Sequence, residues 1–125
     1  MLTIFERKND NRTVYINPSS FIIHFTNGAV TINWDDIESI FAYKVDWFTF
    51  DDVYLDLIVN GEIISMCEDI DGFETFTETL HQHLPTLKSW WVVVPPAFAT
   101  NFTMLYDKFG RTQQEVEDIY YKNLQ

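Results

Sequence analysis

A chain of 125 residues suits one domain, and its 46% hydrophobic and 17% aromatic residues supply one packed core. The formal net charge of −11 repels polyanions, which argues against nucleic acid and anionic membrane as partners and favours a cationic protein. A single cysteine, Cys67, excludes an intramolecular disulfide, and no apolar run approaches the roughly 20 residues of a membrane-spanning helix.

The chain opens Met1-Leu2-Thr3-Ile4-Phe5 and turns polar at Glu6-Arg7-Lys8, without the apolar stretch of a signal peptide. We therefore expect a cytoplasmic protein, in which the sequons at Asn11 and Asn101 carry no glycan. Thr3 to Arg7 and Thr13 to Asn17 read as strands around the polar turn Asn9-Asp10-Asn11, and Pro18-Ser19-Ser20 breaks the chain. Asn27-Gly28 then predicts a type I′ hairpin between Phe21–Thr26 and Ala29–Trp34. In that register Phe25 faces Val30, Ile23 faces Ile32 and Phe21 faces Trp34, so one face is wholly apolar.

Ser39 to Trp47 is a further strand, with Phe41, Tyr43, Val45 and Trp47 at alternate positions. Asn60-Gly61 repeats the hairpin signal between Val53–Val59 and Glu62–Cys67, placing Leu57 opposite Ile64 and Leu55 opposite Met66, with Tyr54, Asp56 and Ile58 on the other face. That brings the expected total to seven strands in succession. The period changes at Phe73, Phe76, Leu80 and Leu84, which predicts an amphipathic helix capped by Asp71 with Glu74 completing a capping box, and stopped by Pro85. Leu87 to Val94 reads as extended up to Pro95-Pro96, and Phe98, Phe102, Leu105, Tyr106 and Phe109 have helical spacing. Thr112 and Glu115 form a second capping box for a helix over Thr112 to Leu124, with Val116, Ile119 and Tyr120 as its apolar stripe.

Antiparallel strands in hairpin succession followed by an amphipathic helix resemble the pleckstrin-homology-like fold over residues 1 to 84. Within that span, Trp34-Asp35-Asp36-Ile37, Ile40, Ala42-Tyr43-Lys44, Asp51-Asp52-Val53 with Leu55, Glu68-Asp69 and Gly72-Phe73 are similar to the pattern of small uncharacterised bacterial proteins of that class. The resemblance implies a mainly β, α+β domain: a barrel or sandwich of about seven strands closed by a helix, acting as a binding or scaffolding module. Residues 85 to 125 form a C-terminal extension packed on the same domain.

Asp69, Asp71, Gly72 and Glu78 fall at positions of a twelve-residue calcium loop, but Cys67 holds its first place, and a strand end with a capped helix accounts for the residues better. His81 and His83 diverge on a helix, while His24 and Cys67 lack partners at zinc-ligand spacing. There is no nucleophile elbow and no glycine-rich phosphate loop. Asp46, Asp51, Asp52 and Asp56 are read as a solvated acidic face around the Trp47 loop. A phosphoinositide cup at Arg7, Lys8 and Arg12 is offset by Glu6 and Asp10.

The chain thus reads as non-catalytic, with no metal or cofactor. We expect a basic protein partner, bound through Trp47, Phe48, Phe50, Asp51 and Asp52 and through Trp90 of the Trp90-Trp91 pair. An immunity-type inhibitor of a basic toxin is one variant. A structural protein that self-associates through edge strands or the Trp90 segment is the competing class.

Overall fold

The computed structural model describes residues 12–46, 51–87 and 102–121. Its elements are β1 (Thr13–Ile16), β2 (Ser20–Phe25), β3 (Gly28–Asn33), a 3₁₀ turn (Trp34–Asp36), β4 (Ile37–Asp46), β5 (Asp51–Val59), β6 (Glu62–Cys67), α1 (Phe73–His83), β7 (Thr103–Asp107) and α2 (Gln113–Tyr120). The fold is mainly β, with two antiparallel sheets ordered β1-β2-β3 and β6-β5-β4-β7. No closed barrel forms among the described residues, because no ladder joins the two sheets. The expected strand at Thr3 to Arg7 and the segment from Lys88 to Asn101 lie outside those residues.

Period-2 alternation sorts side chains between three layers. Val14, Phe21, Ile23 and Ile32 of the first sheet meet Ile40, Ala42, Leu55, Leu57 and Met66 of the second in one core, to which β7 adds Leu105. Helix α1 lays Phe73, Phe76 and Leu80 into the same core, as its 3.6-residue spacing predicts. Trp34 sits at the junction. Its indole ring is 4.7 Å from Phe21 and stacks on His83 at 4.6 Å, and its N–H donates to the Asn17 carbonyl at 3.3 Å. On the other side of the second sheet, Phe41 and Ile58 pack under Val116 of α2.

Both Asn-Gly pairs sit at hairpins, but only one forms the expected turn. Asn60 and Gly61 take φ of 51° and 81°, and Leu57 pairs with Ile64 and Leu55 with Met66 as read from the sequence. In the first hairpin the bend falls at Thr26-Asn27, neither of which has positive φ, nor does Gly28. Its ladder pairs Phe25 with Gly28, Ile23 with Val30 and Phe21 with Ile32, two residues away from the expected register. An even slip keeps every side chain on its predicted face. It also puts Ile32 opposite Phe21 in place of Trp34, whose backbone N–H reaches the Ser19 carbonyl at 3.3 Å while its buried indole keeps its contact with the Phe21 ring. Phe25 and Val30 are carried beyond the core edge, 41% and 37% exposed, so they do not form the buried pair expected.

Three other expectations are corrected. The N-cap of α1 is Gly72, not Asp71, and no side chain caps it. Asp71 instead bridges Thr13, and its carbonyl accepts from the Val14 N–H at 3.0 Å. The chain passes so close to β1 that a Cβ on Gly72, at φ 90°, would lie 2.6 Å from the Val14 oxygen. Thr103–Asp107, expected to be helical, is a strand paired with β4. A register shift beside Leu105 sends Phe102 and Met104 to the outer cluster and Leu105 and Tyr106 to the core, which mimics helical spacing. Finally, Ile119 is exposed rather than part of the stripe of α2. The capping box of that helix is present: Glu115 N–H donates to Thr112 Oγ1 at 3.2 Å, and Thr112 N–H to Glu115 Oε1 at 2.9 Å.

Candidate functional site

Of the residues expected to contact a partner, Trp47, Phe48, Phe50 and Trp90 lie outside the described residues, and Asp51 opens β5. Asp52 is only 3% exposed, and Asp56 only 4%. Both face the outer side of the second sheet by alternation along β5, so they do not belong to a solvated acidic surface.

Asp56 is held by three hydroxyls. Tyr43 and Ser65 donate to its Oδ1 at 3.0 and 2.7 Å, and Tyr121, just past α2, donates to Oδ2 at 2.9 Å. Burial raises its carboxyl above the usual range, and the hydroxyl bonds only partly offset this. Burial and the adjacent carboxylate likewise push the Tyr43 and Tyr121 phenols upward, so both remain protonated donors. Phe102 packs between them, 4.9 Å from Tyr121 and 5.6 Å from Tyr43. The network fixes the end of α2 on the sheet. Its sequence signal was an acid set between Tyr54 and Ile58 among the outward residues of β5.

A second clamp joins the end of β7 to β4 and to the loop that leads into α2. Asp107 accepts from Ser39 Oγ at 2.6 Å, from Arg111 Nη2 at 2.8 Å and from the Arg111 backbone N–H at 2.7 Å. Burial alone would raise this carboxyl, but the bonds from Arg111 and Ser39 outweigh it and hold the group at about 2. Tyr120 adds a bond to Glu38 at 2.8 Å.

Asp52, Cys67 and Asp69 bring one oxygen, one sulfur and one oxygen within 4.8 Å of one another, a donor set that could hold a divalent cation. It is not the set of the calcium-loop reading: Asp71 is engaged with β1, and Glu78 sits exposed on α1. Of the histidines, His83 stacks on Trp34 and His24 meets Tyr15 edge-on at 4.9 Å.

The first sheet ends at β3 and the second at β6, and between them opens a cleft of about 250 Å³. Val30, Ile32, Val59 and Ile64 give it apolar walls, while Asp36 and Glu62 give it negative charge. It is smaller than the roughly 300–1,000 Å³ of pockets that enclose a small molecule. The described residues form two antiparallel sheets covered by two helices, with an acidic cleft between strand edges. No family model matches the chain, and no curated protein or solved structure matches it either.

Proposed function

We propose that the protein is a non-catalytic protein-binding module of pleckstrin-homology-like fold that recognises a cationic partner. The run of hairpins closed by α1 supports the fold reading, although the two sheets remain separate ladders. The cleft between β3 and β6 carries the functional one: apolar walls that include the exposed Val30, edged by Asp36 and Glu62, on a chain of net charge −11. Apolar contacts supply affinity at such a surface, and the charges supply steering and selection.

Asp56 and Asp107 hold Tyr121 and Arg111 in place, which supports a structural role for these two acids. The test is capture of basic proteins by the immobilised chain at rising salt, compared with an Asp36→Asn, Glu62→Gln variant. Capture should fall with salt and drop several-fold in the variant. Equal capture by both proteins, or capture indifferent to salt, refutes this reading.

A further inference from the structure

The outer edge of β3 is unusual for an exposed strand. Natural edge strands are blunted by lysine, proline, a bulge or a covering segment. β3 reads Gly-Ala-Val-Thr-Ile-Asn, with no charge and no proline, and its ladder to β2 runs from Phe25–Gly28 to Ser20–Asn33 without a register shift. Residues 28 to 31 and Asn33 are exposed, and among the described residues β3 pairs only with β2.

The outward-facing backbone groups can be identified. The Trp34 N–H donates to the Ser19 carbonyl, which marks that position as a hydrogen-bonded pair. Bonded and non-bonded pairs alternate in an antiparallel ladder. Ala29, Thr31 and Asn33 are therefore the residues whose N–H and C=O groups point away from β2. Beside that edge lies the cleft, with Val30 and Ile32 on one wall and Val59 and Ile64 on the other.

We infer that this edge binds its partner by strand addition: an extended, cationic segment pairs with Ala29, Thr31 and Asn33, and its inward side chains fill the cleft. This rests on the protein-binding reading above and names its mode. Main-chain bonds give such complexes affinity, and alternate side chains give them specificity. The charge of the cleft selects the occupant. A second copy of this chain would bring another Asp36 and Glu62, and another net charge of −11, against the first. A segment alternating lysine or arginine with aliphatic residues meets both the apolar walls and the acids.

The probe is a ten-residue peptide alternating lysine and valine, titrated into the full chain while backbone amides are followed by nuclear magnetic resonance and hydrogen exchange. Exchange at Ala29 and Thr31 should slow by about tenfold or more at saturation, and binding should weaken with salt. Methylating the peptide nitrogens at the valines or at the lysines removes donors from one edge only. One pattern should therefore abolish binding and the other should leave it. Thr31→Pro, which deletes an outward donor and spares the ladder to β2, should also abolish it. If that variant does not fold, the two methylated peptides decide the matter on the natural chain.

Salt-sensitive binding with β3 amides unprotected, or both methylated peptides binding alike, overturns strand addition and leaves the protein-binding reading standing. Absence of peptide binding overturns strand addition as well, while loss of basic-protein capture is what removes the broader reading. Protection of β3 without peptide, with a mass that rises with concentration, replaces the cationic segment by a second copy.

Discussion

Replacing Asp107 by Asn tests whether the clamp from β7 to Ser39 of β4 and to Arg111 holds the C-terminal part of the fold. The side chain is 2% exposed, so solvent screening is slight, and its carboxyl lies at about 2 instead of the ordinary 3.8. At roughly 1.4 kcal/mol for each tenfold change in proton affinity, the ionised form stabilises the folded state by about 2 kcal/mol. Because the folded value is depressed, this contribution is present above 3.8 and is lost as the pH falls through about 2. Urea unfolding of the natural chain and of Asp107→Asn at neutral pH should differ by about 2 kcal/mol. The gap should close steadily as both are taken from pH 5 towards pH 2, since a protonated aspartate has little that asparagine lacks. Two stability curves that stay parallel over that range would show that the Asp107 charge does not stabilise the fold, and would refute the account.

Gly72→Ala should cost about 2–4 kcal/mol, combining a left-handed backbone with a Cβ 2.6 Å from the Val14 oxygen. Gly61→Ala, at φ 81° in open space, should cost only about 1 kcal/mol; equal losses in thermal melts would mean that the approach to β1 is not rigid. Tyr121→Phe removes one of three donors from a carboxylate whose folded value is already raised by burial, and should cost about 1–2 kcal/mol at neutral pH. That penalty should shrink in acid, because protonation of Asp56 in the folded state relieves the missing bond; a constant penalty down to pH 4 would argue against an ionised Asp56.

Alternation and turn chemistry made most of the strands legible, and the second hairpin could be read down to its pairs because Val59 and Glu62 flank a true left-handed Asn60-Gly61 bend. The first hairpin was legible in its faces but not in its register. Local turn preference there competes with burial of Trp34, a tertiary effect that no short window contains. Thr103–Asp107 reads as helical for a related reason: its pairing with β4 spans more than sixty residues, and the shift beside Leu105 scrambles the alternation. The acids were counted correctly but misplaced. Burial of Asp52 and Asp56 depends on what covers the sheet, and composition treats all carboxylates alike. The cleft was out of reach altogether, since it exists only where two sheet edges meet.

The second sheet has a consequence for the order of assembly. β4 lies between β5, its near neighbour along the chain, and β7, whose Asp107 stands opposite Ser39. A nascent polypeptide can zip β4, β5 and β6 early, yet one flank of β4 stays bare until a segment made much later arrives. During that interval Phe41 and Ile58 lack the lid that Val116 provides, so truncated or slowly synthesised chains are the species most prone to aggregate.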